Sequence, residues 1–184
     1  MSEGGYKIRD QHAIHYITFA VVEWVDVFTR QQYCDIFLEN IREGQKENGL
    51  LVHSWVLMPN HFHGILSVRE GFTLSHTLGE IKRKSSMMIM QAIEKSETES
   101  RRDWMLDIFS QAGGANKRNG KRQFWRQENH PKECFGKEFT QQKMNYIHQN
   151  PVRAGIVGVP EHYIYSSARD YAGQKGSLHI DLLW

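Results

Sequence analysis

The spacing of hydrophobic residues changes several times along the chain, and each change predicts a different element. Residues 15–22 read His-Tyr-Ile-Thr-Phe-Ala-Val-Val. This segment is rich in β-branched and aromatic side chains and predicts a first strand. A helix should follow, because the next apolar residues recur at helical spacing. They are Tyr33, Ile36, Phe37 and Ile41. Thr29 and Gln32 have the spacing of a capping box that would begin this helix, and Gly49 is a suitable end.

Two apolar runs, residues 50–58 and 62–68, are separated by Pro59 and Asn60. Because both of these residues favour turns, the segment predicts a β-hairpin made of the second and third strands. A second helix should begin near Thr73 or Ser75, where a period of 3.6 residues returns. The residues that carry this period are Leu74, Leu78, Ile81, Met88, Ile89, Ala92 and Ile93.

From residue 96 to 123 the chain is polar and loses regular period, with a helical turn expected at 104–109 and an exposed loop at 113–120. Residues 124–128 are a candidate fourth strand. A last helix is predicted from residue 137 to Asn150, because Pro151 disfavours helical geometry at the residue before it. This order predicts one α+β domain spanning residues 1–184. We expect a ferredoxin-like split βαβ fold with a central antiparallel sheet and a late helix that is free to lie elsewhere.

Composition excludes several classes of protein. The net charge is only +2, so any nucleic acid must be held by local basic patches. Cys34 and Cys134 are too few for a disulfide framework, which favours a reduced, cytoplasmic protein. The chain shows no apolar signal region and no run of 18 apolar residues, so we expect neither secretion nor a membrane-bound protein.

The hairpin carries the first candidate chemistry. His61 and His63 are two residues apart, so both imidazoles leave the same face of the third strand. Phe62 and Leu66 leave the opposite face and suit a core. Two neighbouring neutral imidazoles on a rigid strand are a good pair of ligands for a divalent metal. Taken alone, the pair is more often two ordinary histidines at the start of a strand.

Residues 115–126 form a basic segment without acidic side chains, and it ends beside Phe124 and Trp125 at the start of the candidate fourth strand. Its basic residues are Lys117, Arg118, Lys121, Arg122 and Arg126. Such a segment is either a solvated loop or a surface for a phosphate backbone with bases stacked beside it, and the sequence leaves both readings open.

Two sequence blocks together resemble a known family. Residues 58–63 read Met-Pro-Asn-His-Phe-His, and residues 144–155 read Met-Asn-Tyr-Ile-His-Gln-Asn-Pro-Val-Arg-Ala-Gly. In this order and separation they resemble the REP-associated tyrosine transposases. These are single-tyrosine HUH transposases of the IS200-like kind, and the resemblance extends over nearly the whole chain. One departure is the segment 128–132, Glu-Asn-His-Pro-Lys, where many relatives carry a different pattern.

The resemblance implies an activity. His61 and His63 would bind a divalent metal with Asn150 as third ligand, and Tyr146 would attack single-stranded or hairpin DNA to leave a 5′-phosphotyrosine. Tyr146 and Asn150 are four residues apart and share a helix face. By spacing alone, Gln149 is an alternative ligand. Mixed nitrogen and oxygen ligands suit Mg²⁺ or Mn²⁺, with Zn²⁺ as a further possibility.

Further basic residues complete the predicted DNA contacts. The additional contacts are Lys82, Arg83, Lys84 and Arg153.

The main alternative function is that of a domesticated, non-catalytic protein that binds DNA hairpins on the same fold. An RNA-binding module is less consistent with the sequence, because the strands lack paired RNA-binding aromatics. Members of this group of transposases act as monomers or as homodimers, and both states are compatible with the sequence.

Overall fold

The computed structural model describes residues 7–115, 121–127 and 130–184 of the 184-residue chain. Four strands and five α-helices are found in these ranges. In chain order they are β1 (His15–Ala20), α1 (Gln31–Glu47), β2 (Leu50–Met58), β3 (His61–Val68), α2 (Leu74–Lys95), α3 (Arg102–Gly114), β4 (Lys132–Glu133), α4 (Gly136–Arg153) and α5 (Ala168–Tyr171). Short 3₁₀ turns occupy Val22–Trp24, Val27–Thr29 and Pro160–His162.

The strands form one antiparallel sheet in the order β2-β3-β1-β4. This order, with α1 and α2 as the two crossovers, is that of a split βαβ sheet. The predicted α+β, ferredoxin-like fold with a central antiparallel sheet is therefore confirmed.

The two faces of the sheet support two separate hydrophobic cores. Phe62 and Leu66 belong to the larger core, which α1 and α2 cover with side chains such as Phe37 and Ile81. The smaller core lies on the other face, where α4 packs against the sheet. Its buried members are Tyr16, Val56, Met58, Ile65, Met144 and Ile147. Because side chains alternate along β3, the histidines on either side of Phe62 face the smaller core.

Helix α1 ends as predicted but does not begin as predicted. Gly49, which follows the C-cap residue Asn48, adopts a positive φ of 66°, a conformation that costs glycine little. The capping box is wrong: Arg30 occupies the N-cap without a side-chain hydrogen bond, and the Thr29 hydroxyl donates to the carbonyl of Asp26 instead.

The predicted fourth strand is also wrong. Residues 124 and 125 make a single bridge, Val21↔Trp125, and both aromatic side chains are buried in the larger core. Strand β4 is the polar pair Lys132–Glu133, which pairs with the N-terminal half of β1. Residue 128, the last of the predicted strand, lies outside the described residues.

Two helices are longer than predicted. The expected turn at 104–109 is part of α3, and Gly113, expected in an exposed loop, is buried in its last turn. Residues 116–120 of that loop lie outside the described residues. Helix α4 continues past Pro151 to Arg153. Pro151 lacks one helical N–H, but the carbonyls of Asn150 and Pro151 still accept bonds from the N–H groups of Ala154 and Ile156.

The C-terminal segment covers the outer edge of β2. The backbone N–H of Leu57 donates to the carbonyl of Tyr165 at 2.9 Å, and that of Ser167 donates to the carbonyl of Trp55 at 3.0 Å. An uncovered strand edge invites pairing with other chains, so this segment protects the sheet. None of the helices in the described part of the chain combines the length and hydropathy needed to cross a bilayer.

Candidate active site

The His61 and His63 side chains lie together on the α4 side of the sheet. Their ring centroids are 4.7 Å apart, and β1 holds His63 in register with Thr18. The prediction that both rings leave the face opposite Phe62 is confirmed. That face is less open than expected, because His63 is only 7% exposed, whereas His61 keeps partial access to solvent.

The turn of the hairpin fixes the orientation of His61. Asn60 donates from Nδ2 to the Asp26 carboxylate at 2.7 Å, so its Oδ1 must face the other way. That oxygen lies 2.6 Å from His61 Nδ1 and can only accept a hydrogen bond. Nδ1 therefore carries the proton, and Nε2 is left with the lone pair that a metal ligand needs.

Two hydroxyl groups of β1 support His63 in the same way. The Tyr16 and Thr18 oxygens lie 2.8 Å and 2.9 Å from His63 Nδ1. A hydroxyl can accept or donate, and where Nδ1–H donates to one of these oxygens, Nε2 is again the nitrogen with the free lone pair. Burial raises the pKa of Tyr16, so its hydroxyl stays protonated at neutral pH.

Both imidazoles are neutral at physiological pH. Burial lowers the pKa of His61 to about 4, an effect that the nearby Asp26 carboxylate partly opposes. Burial also lowers the pKa of His63 to about 3, and the neighbouring His61 and Lys143 add to this shift. Neutral imidazole is the form that binds metals.

Helix α4 brings Tyr146 to the histidine pair. Its buried Met144 and Ile147 anchor the helix on the sheet, and Tyr146 on the adjoining face is 38% exposed. The Tyr146 ring meets His63 edge-on, with centroids 5.6 Å apart. The Arg153 guanidinium lies 5.4 Å from the centroid of the same ring. The structure therefore brings a phenol, two imidazoles and a cation together.

Asn150 lies one turn beyond Tyr146, as predicted. Its Nδ2 donates to the Tyr146 carbonyl at 2.9 Å, which leaves the Oδ1 lone pairs available. The exposed Gln149 lines a surface cleft of about 320 Å³ together with Tyr146 and Arg153. The Tyr146 side chain is therefore open to solvent through this cleft.

The donor types at the site fit a divalent cation. Two neighbouring imidazoles with free Nε2 lone pairs are donors of a kind that suits Mn²⁺, and Mg²⁺ accepts them when oxygens complete its shell. Within the described ranges, His, Cys, Asp and Glu do not form any group of three that could hold a metal.

The basic residues of α2 do not form one patch. Lys82 donates from Nζ to the Arg126 carbonyl at 2.7 Å, and burial lowers its pKa to about 8. Arg83 pairs with Glu80 at 2.8 Å, and Lys84 pairs with Glu43. Successive residues point in different directions around a helix, so these three side chains face different neighbours.

The basic segment before β4 is only partly described, because Lys117 and Arg118 lie outside the described residues. Lys121 is exposed, and Arg122 pairs with Glu94 at 3.3 Å. The Arg126 guanidinium lies 5.5 Å from the centroid of the Trp24 ring. Of the described basic candidates, Arg126 and Arg153 are therefore the two that stack on exposed aromatic rings beside the histidine pair.

Sequence reasoning missed the residues that orient the histidines. Tyr16 and Thr18 lie on alternate positions of β1, but only the strand register shows that they face His63. Asn60 was visible as a turn residue, and its bond to Asp26 depends on how the 21–29 segment folds over the turn. Trp24 beside His61 carried no periodic signal either.

Comparisons with known proteins place these features in context. The family model described as "Transposase IS200 like" matches residues 10–111, more than half of the chain. No curated protein matches the sequence. The chain is similar in fold to a structure of a REP-associated tyrosine transposase bound to a REP hairpin, with a TM-score of 0.67 and 18% identity over 100% of this chain and 94% of that one. A protein of Deinococcus radiodurans R1, assigned as a transposase, matches at a TM-score of 0.44 and 13% identity, covering 80% of this chain and 95% of that one.

Proposed function

The chain belongs to the family of IS200-like transposases, and from this membership we propose that it cuts and rejoins single-stranded DNA through a covalent bond to Tyr146. The family match ends before α4, so the assignment of Tyr146 rests on geometry and on the sequence block around it. The observation that carries the proposal is the contact between Tyr146 and His63, whose rings lie 5.6 Å apart.

The histidine pair and Asn150 would hold a Mg²⁺ or Mn²⁺ ion. When bound, such an ion acts as a Lewis acid that polarises the scissile phosphate and offsets the charge added during attack. Neighbouring protein groups orient the two histidines without any bound ion. Asn60 accepts the hydrogen bond of His61 Nδ1, which leaves the Nε2 lone pair of His61 free. The hydroxyls of Tyr16 and Thr18 contact His63 at Nδ1 and likewise leave its Nε2 available.

Tyr146 supplies the nucleophile. Its phenolic oxygen forms a bond to the scissile phosphorus, and the bond from phosphorus to the 3′ oxygen of the preceding nucleotide breaks. The phenolic proton passes to solvent, which reaches the exposed side chain, and the departing 3′ oxygen takes up a proton. Because the phosphotyrosine bond conserves the energy of the phosphodiester, a second strand end can attack it without a nucleotide cofactor.

Arg153 and Lys143 favour phosphate at this position. Arg153 lies over the Tyr146 ring, and Lys143 Nζ lies 5.3 Å from the centroid of the Tyr16 ring, which itself contacts His63. Both cations line the same cleft as Tyr146. Phosphate contacts of this kind position DNA without reading its sequence. A hairpin with a single-stranded flank is the substrate form that we propose, since the related structure of similar fold is bound to a REP hairpin.

The experiment that tests the proposal uses labelled hairpin oligonucleotides with single-stranded flanks. The protein is incubated with each oligonucleotide and Mn²⁺, and the products are separated on a denaturing gel. We expect a shortened strand and a slow band of covalent protein–DNA adduct, both of which disappear in excess chelator. Binding without any adduct across the panel would instead support a non-catalytic hairpin-binding protein.

A further inference from the structure

Trp24 is an exposed aromatic residue held in a strained backbone conformation beside the candidate active site. Its side chain is 51% exposed, although Val21, Val22 and Val25 around it are buried. Trp24 has a φ of 54°, and Glu23 before it has a φ of 51°. This left-handed region is costly for a bulky side chain. Burial therefore does not explain why a tryptophan occupies this position.

The contacts of Trp24 connect it to His61. The two rings meet edge-on with centroids 5.9 Å apart. The amide of Asn60, which orients His61, also donates to the Trp24 carbonyl at 3.3 Å. The same side chain thus contacts both a candidate metal ligand and the backbone of Trp24.

The surroundings of Trp24 suit a nucleobase better than a phosphate. Trp24 and Arg126 line a surface depression of about 620 Å³ together with Glu23 and Gln127. Glu23 and Arg126 are the two ionisable residues among those that line the depression, and they carry opposite charges, so this lining has no net positive charge. The indole face offers stacking, and the polar groups around it can hydrogen-bond to the edge of a base.

We propose that Trp24, with Arg126 stacked on it, is the platform for one unpaired base of the DNA strand close to the scissile phosphate. The inference rests on the proposed function, because it assumes that DNA lies across His61 and Tyr146. The row of rings supports this placement: Trp24 contacts His61, His61 contacts His63, and His63 contacts Tyr146. When the scissile phosphate of a DNA strand lies at His61, His63 and Tyr146, a neighbouring base of the same strand lies over Trp24.

A coupling experiment between protein and DNA tests the platform. Binding of a labelled hairpin with a single-stranded flank is measured by fluorescence anisotropy in excess chelator, so that cleavage does not interfere. Each flank position is replaced in turn by an abasic site. The variants are Trp24→Ala and Trp24→Leu, the second of which keeps apolar bulk without a stacking face. Trp104→Ala, which removes a tryptophan that is 53% exposed on α3, is the matched control.

We expect both Trp24 variants to bind roughly 5- to 100-fold more weakly, as the loss of one stacked base predicts. One abasic position should weaken wild-type binding by a similar factor and should have no further effect on the Trp24 variants. Trp104→Ala should bind like the wild type. Because half of the Trp24 side chain is in solvent, the melting temperatures of the variants should stay close to that of the wild type.

The platform is overturned if the wild type binds the hairpin and the Trp24 variants bind equally well. It is also overturned if every abasic site weakens the variants by the same factor as the wild type. In both cases the proposed transposase chemistry stands. A wild type that binds none of the hairpins overturns both the platform and the proposed function.

Discussion

The side chain of Asn60, in the hairpin turn, makes three hydrogen bonds. It accepts a hydrogen bond from His61 Nδ1, donates to the Asp26 carboxylate and holds the Trp24 carbonyl. Residues that orient a metal-binding histidine from behind typically contribute 10- to 100-fold to metal affinity. The orientation of His61 therefore depends on its neighbour in the hairpin turn.

Replacing Asn60 by Ala should weaken Mn²⁺ binding by roughly 10- to 100-fold, because His61 loses the partner that sets its tautomer. The measurement is calorimetric titration of the metal into DNA-free protein. Asn145→Ala, which alters an exposed amide on α4, should keep the wild-type affinity. Equal affinities for the wild type and Asn60→Ala would show that the Asn60 contact does not position His61.

The same residue shows how far sequence reasoning reaches. The hairpin turn and the face of the two histidines were predictable, because a turn signal and a period of two are local properties. The partners Asp26, Tyr16 and Thr18 were not, because they meet the histidines only through strand pairing and through the folding of the 21–29 segment. The local pattern of hydrophobic and polar residues does not predict such contacts between distant parts of the chain.

Among the elements, α4 is held on the sheet by a buried polar network as well as by its apolar residues. His148 Nε2 lies 2.9 Å from the Ser167 hydroxyl of the C-terminal segment and 3.1 Å from the Ser54 hydroxyl of β2. The helix that carries Tyr146 is thus tied to the strand edge and to the segment that covers it. Burial lowers the pKa of His148 to about 4.

This shift predicts a dependence of stability on pH. The unfolded chain protonates His148 near its ordinary pKa of about 6.5, so the unfolded state binds more protons between pH 4 and 6.5. The free energy of unfolding should then fall as pH decreases through this window. His148→Gln should flatten the slope by up to about 1.4 kcal/mol per pH unit, as measured by urea unfolding. Ser54→Ala is the control, because it disturbs the same network without removing a titrating group, and it should keep the wild-type slope. An unchanged slope for His148→Gln would contradict this account.

Two elements show why sequence patterns misplaced β4 and the end of α4. Residues 124 and 125 are aromatic and were predicted as a strand, but Trp125 packs against Phe28 at 5.8 Å and Phe37 at 5.5 Å in the larger core. Strand β4 is two polar residues long, so it has no hydrophobic period to detect. Pro151 was given too much weight, because a proline in the last turn removes a single hydrogen bond.

At the scale of the whole molecule, one chain assembles all of the candidate catalytic residues. Helix α4 packs on its own sheet through Met144 and Ile147, and this packing places Tyr146 beside His63 of the same chain. A dimer with exchanged helices would instead take the tyrosine from its partner.

A mixing experiment distinguishes these arrangements. Tyr146→Phe and His63→Ala should each form no covalent adduct with hairpin DNA, and an equimolar mixture of the two should also form none, because each site lacks one of its own residues. The readout is the adduct band on a denaturing gel, and the wild type diluted to half its concentration serves as the control. Adduct in the mixture would show that the helix is exchanged between chains.

The most direct test of the central claim is the site of covalent attachment. The wild type is trapped on hairpin DNA, digested and analysed by mass spectrometry, in parallel with Tyr146→Phe and with Tyr163→Phe as control. Tyr163 donates to the Leu57 carbonyl at 2.7 Å and lies in the C-terminal segment. We predict that the phosphate is on the peptide containing Tyr146, that Tyr146→Phe binds the hairpin without adduct, and that Tyr163→Phe still forms one. An adduct on another tyrosine, or undiminished cleavage by Tyr146→Phe, would contradict the account.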